Sequence, residues 1–194
     1  MSEPSRLPVE NLHSYVQWFD DALPRPMCAQ MIDSFERMRE LQNLNGRGRR
    51  AGLEESSWLE LNLTPLADKA FLGFFLAEID KYLARYNAAL RLTLAVPARP
   101  TTDNLVMKRY RVGSGDNFQP HYDSHSEKCN RYLVFLWYLN DVAEGGETEF
   151  CDLGIRVQAR AGRLLVFPPY WMFQHAGLPP RSNDKYIVST YLVF

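Results

Sequence analysis

The sequence predicts an α+β fold in which helices pack on one face of a β core. Three observations predict it. Apolar residues recur at helical spacing in the first half, and six short β-forming runs fill the second half. No linker-like composition divides the two, so helices and strands belong to one unit. A single domain of 194 residues is expected, with 1–100 as a helical support region and 101–194 as the β core. Such a chain buries roughly 70% of the surface it exposes when unfolded.

The elements follow in order. Pro24 to Met27 ends one segment, and Met27–Leu44 then carries Met31, Ile32, Phe35, Met38 and Leu41 at helical spacing. Asn45-Gly46 reads as the C-cap of that helix. The basic stretch from Gly46 to Arg50 reads as a solvated loop in preference to an anion site. A second helix is expected from about Pro65 to Leu90, with Leu66, Ala70, Phe71, Phe74, Phe75, Ile79, Leu83 and Tyr86 toward the core. After Pro97 and Pro100 come the runs Leu105–Tyr110, Arg131–Leu139, Glu147–Phe150, Ile155–Ala159, Leu164–Phe167 and Tyr186–Phe194. Glycine and aspartate separate them, as at Gly113-Ser114-Gly115-Asp116 and Asp152-Leu153-Gly154, and Gly145-Gly146 reads as a turn. Many short strands of this kind indicate a sandwich or barrel.

Composition excludes several function classes. The chain has 22 Lys+Arg against 23 Asp+Glu, a net charge of −1, which argues against nucleic-acid or anionic-membrane partners. The longest apolar run, Tyr132–Leu139, has eight residues, and a membrane span needs about 20. No apolar stretch follows the N-terminal Met-Ser-Glu-Pro-Ser-Arg, so no secretory signal is expected. Cys28, Cys129 and Cys151 are too few and too scattered for a disulfide framework or zinc-finger spacing. The expectation is a reduced, cytoplasmic chain.

There are four histidines. His13 lies near the N-terminus and reads as surface or local packing. His121-Tyr122-Asp123 is a His-x-Asp unit, and on a strand residues i and i+2 face the same side. A third ligand must come from another strand, and His175 is the candidate. Two His and one carboxylate suit a non-haem Fe(II) facial triad, and they also suit Zn²⁺. His125 shares the parity of His121, but on a regular strand it lies about 13 Å away, so it is placed at the pocket rim or surface. Lys185 follows His175 at a spacing of ten and opens a strand on which Lys185, Ile187, Ser189 and Tyr191 share a face. Alone it reads as a strand-end lysine in solvent. Facing a pocket, it suits the distal carboxylate of a dicarboxylic 2-oxo acid. Trp58, Trp137 and Trp171 read as core or pocket wall, and Trp58 either as a buried support strand or as part of the barrel mouth. The loops 46–50 and 111–130 are candidate lids.

Several fragments now combine in order. They are Tyr110-Arg-Val-Gly113, Phe118-Gln-Pro-His121-Tyr-Asp123, Tyr138-Leu-Asn-Asp141, Glu144-Gly-Gly-Glu-Thr-Glu-Phe150, Ala161–Phe167, His175-Ala-Gly177 and Lys185-Tyr-Ile. Residues 105–194 thereby resemble the catalytic domain of Fe(II)/2-oxoglutarate-dependent oxygenases, in particular the prolyl 4-hydroxylase-like branch. The resemblance implies a double-stranded β-helix, or jelly-roll, core. It implies His121, Asp123 and His175 as iron ligands and Lys185 as the residue that binds the 2-oxoglutarate C5 carboxylate. Tyr110, Tyr138 and Ser189 match further cosubstrate-pocket positions. Fe(II), 2-oxoglutarate and O₂ are the implied cofactor and cosubstrates, with ascorbate a further candidate. The implied reaction hydroxylates an unactivated C–H bond, most like that of a prolyl residue in a peptide or protein, and releases succinate and CO₂. The rivals are an oxygenase of the same fold acting on a free amino acid or other small molecule, a metal hydrolase, and a non-catalytic jelly-roll binding module. The hydrolase leaves Lys185 unexplained, and the intact set of four residues argues against the binding module.

Overall fold

The computed structural model describes residues 11–49, 51–97 and 101–194. In chain order the elements are β1 (Gln17–Phe19), α1 (Arg25–Arg37), β2 (Asn43–Gly46), β3 (Ser57–Asn62), α2 (Lys69–Leu90), β4 (Thr101–Thr102), β5 (Val106–Tyr110), β6 (Phe118–His121), β7 (Arg131–Tyr138), β8 (Thr148–Phe150), β9 (Ile155–Val157), β10 (Leu164–Phe167), β11 (His175–Gly177) and β12 (Lys185–Val193). All strand pairings are antiparallel. The larger sheet runs β1-β10-β7-β12-β5-β3-β2, with β4 on β12, and the smaller runs β6-β11-β8-β9. This is the α+β, double-stranded β-helix architecture expected from the sequence. Three strands from the first hundred residues extend the larger sheet at its two ends.

β10, and β7 beyond Arg131, are apolar throughout because both faces of the larger sheet are covered there. Period-two alternation divides them. Leu133, Phe135 and Trp137 of β7, Leu164 and Val166 of β10, and Val188 of β12 face a layer that includes Phe75, Ile79, Tyr82, Leu83 and Tyr86 of α2 and Met31 and Phe35 of α1. Val134, Leu136 and Tyr138 of β7, Leu165 and Phe167 of β10, and Ile187 of β12 face the smaller sheet, with Phe150 and Val157. The same parity sends Lys185, Ser189 and Tyr191, and Lys108 and Tyr110 of β5, into the space between the sheets. That space holds the site.

Helix boundaries differ from the expected ones. α1 ends at Arg37, well short of Leu44. Met38 N–H bonds back to Ser34 and Phe35, and Gln42 Nε2 donates to the Phe35 carbonyl at 2.6 Å. Residues 39–41 form a single 3-10 turn, and 43–46 then pair with β3, Asn45 opposite Trp58. Asn45-Gly46 is therefore the end of a strand. Gly46 has φ +92°, and a Cβ there would lie 2.3 Å from the Ser56 carbonyl oxygen. α2 starts at Lys69, where Asp68 caps it by accepting Phe71 N–H at 2.8 Å. Leu66 and Ala70, expected toward the core, are exposed. Of the stretch 46–50, Arg50 lies outside the described residues, as does Pro100.

One close approach locks the N-terminal segment to the barrel. The Gly162 carbonyl accepts Ala22 N–H at 2.7 Å and Leu23 N–H at 3.1 Å. Gly162 has φ +82°, and a Cβ there would meet the Leu23 carbonyl oxygen at 2.4 Å. Gly162→Ala combines left-handed strain with a backbone clash. It is expected to cost about 2 kcal/mol or more, read as a fall of several degrees in thermal denaturation. An unchanged Tm contradicts this account of the turn.

Candidate active site

β6 and β11 are short, and their pairing places His121 opposite His175. Each imidazole is oriented by the carbonyl two residues upstream. His121 Nδ1 lies 2.8 Å from the Gln119 oxygen, and His175 Nδ1 lies 3.1 Å from the Phe173 oxygen. Nδ1 is thereby the donor, and the Nε2 lone pair is left facing the pocket. Asp123 lies two residues beyond the end of β6, and its position comes from a tie to another loop. The Pro169 carbonyl accepts both Asp123 N–H at 3.0 Å and Ser124 N–H at 3.1 Å. This brings Asp123 Oδ1 to 3.6 Å from His121 Nε2 and Oδ2 to 3.4 Å from His175 Nε2.

The ligand atoms of His121, Asp123 and His175 all lie within 4.8 Å of one another, a spacing that can hold one metal ion. The protonation states suit that role. Burial pushes His121 down to about 3, and His175 also falls, chiefly through burial. Both rings are therefore neutral, the form a metal ligand requires. Burial pushes Asp123 upward, but the facing histidines and the cations Lys108 and Arg131 outweigh it and hold the carboxyl below its usual value. Two neutral imidazoles on paired strands and one carboxylate on the loop beyond β6 fit Fe(II) by donor type. Phe118 stacks on His121 with centroids 3.6 Å apart, and Trp58 stacks on Phe118 at 4.5 Å. Trp58 is thus buried on β3 and also part of the wall that supports a ligand.

Lys185 is 2% exposed, contrary to the solvent position a lone strand-end lysine suggests. Its Nζ lies 5.4 Å from the Tyr110 ring and 5.5 Å from the Tyr138 ring. No hydrogen bond or ion pair to it occurs among the described residues. Burial is the main reason its ammonium falls from 10.5 to about 7. Tyr138 donates to Thr148 Oγ1 at 2.6 Å, and burial pushes both Tyr110 and Tyr138 well above the usual phenol value. Both therefore stay protonated. Ser189 lines the same inner pocket, together with the three candidate ligands, Lys185 and Tyr110. A buried, unpaired cation at one end and a ligand triad at the other suit a chelating dianion.

A second cavity, of about 620 Å³, opens outward from His121 and Asp123 and is walled by Trp58, Glu60, Lys108, Arg131 and Tyr191. His125 is exposed at its rim, and His13 is exposed far from it in sequence. Sequence reasoning gave no role to Lys108 or to the Tyr191 hydroxyl. Both sit at the parity of known pocket residues, Lys108 two before Tyr110 and Tyr191 two after Ser189, and that was the available signal.

Residues 105–193, which contain the triad and Lys185, match the family described as the 2OG-Fe(II) oxygenase superfamily. This segment is a 2OG-Fe(II) oxygenase domain. Solved structures similar to the chain as a whole include prolyl hydroxylases. A Pseudomonas putida prolyl-4-hydroxylase has a TM-score of 0.67 at 18% identity, over 92% of each chain. The viral collagen prolyl hydroxylase of Paramecium bursaria Chlorella virus-1, in its 2-oxoglutarate complex, has a TM-score of 0.61 at 19% identity, over 92% of this chain and 95% of that one. A Trichoplax adhaerens prolyl hydroxylase, bound to a hypoxia-inducible-factor peptide fragment, has a TM-score of 0.67 at 15% identity, over 93% and 84%. These likenesses are of fold, and they extend into the helical region that the family match does not cover. The oxygenase is a 2-oxoglutarate-dependent dioxygenase, and its family implies Fe(II), 2-oxoglutarate and O₂. None of its described helices is long and apolar enough to cross a membrane.

Proposed function

We propose that this oxygenase hydroxylates an unactivated C–H bond of a prolyl residue in a peptide or protein, with release of succinate and CO₂. The observation that carries the reading is the shared pocket, with His121, Asp123 and His175 at one end and the buried, unpaired Lys185 at the other. The prolyl assignment is supported by the fold neighbours, one of which holds a peptide. Bound Fe(II) and 2-oxoglutarate supply the oxidising chemistry, in which one oxygen atom of O₂ enters the substrate and the other enters succinate. The protein's part is binding, orientation and exclusion of water. His121 and His175 present Nε2 because their Nδ1 atoms are committed to backbone carbonyls. Lys185 pairs with the distal carboxylate of the cosubstrate, Tyr110 walls that pocket, and Tyr138 packs behind it, 5.5 Å from the Lys185 Nζ. The outer cavity receives the substrate beside the triad.

A second reading is favoured by that cavity. Its volume of about 620 Å³ falls within the range of roughly 300–1,000 Å³ common for small-molecule sites. A free amino acid or similar molecule is the corresponding substrate. Succinate formation by anaerobically Fe(II)-loaded protein after O₂ is admitted separates the two. Stimulation by proline-containing peptides supports the prolyl reading. Stimulation by free amino acids alone overturns it in favour of the second.

Cosubstrate binding is expected to depend on pH through Lys185. The free ammonium titrates at about 7, and a bound carboxylate raises that value. Binding above pH 7 therefore takes up a proton, and affinity falls by about tenfold per pH unit until the raised value is reached. Calorimetry in two buffers of different ionisation enthalpy reads the proton uptake. Equal heats in both buffers at pH 8 contradict the role of Lys185.

A further inference from the structure

The carboxylate of Asp123 is held by a third side chain besides the two histidines. Tyr191 Oη donates to Asp123 Oδ1 at 3.0 Å. Oδ2, 3.4 Å from His175 Nε2, accepts no hydrogen bond among the described residues. The Tyr191 ring is itself clamped. The Arg131 guanidinium lies 3.6 Å from its centroid, close contact for a stacked cation. Arg131 is fixed in turn by Asp103 Oδ2, with Nη2 at 2.6 Å and Nε at 3.1 Å. Asp103 closes the loop onto the same strand, because its N–H donates to the Tyr191 carbonyl at 2.9 Å and its carbonyl accepts Thr190 Oγ1 at 2.8 Å. Arg131 opens β7 and Tyr191 is near the end of β12, so the clamp is built across the two most extensively paired strands of the larger sheet.

This arrangement does more than satisfy a buried acid. A carboxylate has two equivalent oxygens, and the loop carrying Asp123 does not by itself distinguish them. Occupying one oxygen with a fixed O–H donor leaves the other as the better metal ligand. A facial triad needs this, because a carboxylate bound through both oxygens takes a position that cosubstrate or O₂ requires. We propose that Tyr191 is a positioning residue that holds Asp123 as a one-oxygen ligand, with Oδ1 tied to the phenol and Oδ2 presented to the metal. The Arg131–Asp103 pair keeps the phenol in place from the wall of the outer cavity. The inference rests on the oxygenase reading of the triad.

Tyr191→Phe tests it, since the ring and its stack on Arg131 are kept and only the hydroxyl is lost. Co(II) is the probe, titrated anaerobically into metal-free protein and followed by its visible spectrum, first alone and then with 2-oxoglutarate. The expected result is a Co(II) Kd raised by about 10- to 100-fold, a changed Co(II) spectrum and weaker 2-oxoglutarate binding, in a variant whose circular dichroism matches the wild type. A merely structural hydroxyl lowers the Tm of the metal-free protein and leaves the Co(II) affinity and spectrum alone, and that outcome overturns the proposal. Absence of Co(II) binding by the wild type overturns the metal centre and this inference with it. Wild-type binding that Tyr191→Phe leaves unchanged overturns only the role of Tyr191.

Discussion

Lys185→Met is expected to raise the Tm of the metal-free protein and to abolish 2-oxoglutarate-dependent turnover. Lys185 is 2% exposed, and burial is the largest influence on it. Glu147 is the group that favours its charge, and Lys108 opposes it. An ammonium so placed is destabilising until an anion arrives. Methionine has a similar length and suits the space between the Tyr110 and Tyr138 rings. Removing a buried charge in this way is expected to stabilise by about 1–4 kcal/mol, or roughly 2–4 °C per kcal/mol for a chain of this size. The sign depends on pH. The folded value of about 7 lies below the ordinary 10.5, so between them the unfolded chain binds more protons. Wild-type stability rises with pH through that window. The advantage of Lys185→Met is therefore largest below pH 7 and shrinks above it. Thermal melts at pH 6 and pH 9 read this directly. A variant that melts lower than wild type at pH 6, or that keeps wild-type turnover, contradicts the assignment of Lys185.

His121→Ala removes one of the three proposed ligands and is expected to lower divalent-metal affinity by well over 100-fold, since even the hydrogen-bond partners of ligands are worth 10- to 100-fold each. Turnover falls with it. The effect is separable from folding. In wild type, a metal present at about 100 times its Kd adds about 2.7 kcal/mol of stability, seen as a rise in Tm on adding Mn(II). In His121→Ala that rise disappears, while the metal-free Tm stays near the wild-type value because β6 and β11 still pair. An undiminished Mn(II)-dependent rise in the variant places the metal elsewhere.

Much of the fold was legible because the physical signal was local. The run Tyr132–Leu139 is apolar without interruption, which is what a strand covered on both faces requires, and β7 is that strand. The triad was legible for a related reason. His-x-Asp lies at the end of one strand and His175 on another, and antiparallel pairing places the two histidines opposite each other. Signals shared by two structures misled. Asn-Gly ends helices and also ends strands, and only the pairing of β2 with β3 decides between them at Gly46. Leu66 carried the helical period, but the Asp68 cap starts α2 after it. The burial of Lys185 was not legible from lysine's usual habits, because it depends on β12 being covered by the smaller sheet. The Tyr191–Asp123 contact needs the position of β12 and of the loop beyond β6 together, and no local pattern encodes that.

One pocket is expected to bind a metal through His121, Asp123 and His175 and a 2-oxo dicarboxylate through Lys185. The most direct measurement is anaerobic calorimetry, with Fe(II) titrated into the metal-free protein and 2-oxoglutarate titrated into the product. One equivalent of each is expected, with 2-oxoglutarate binding lost in Lys185→Met while Fe(II) binding is retained. Fe(II) binding with no metal-dependent binding of 2-oxoglutarate would contradict it and leave the triad to a different chemistry.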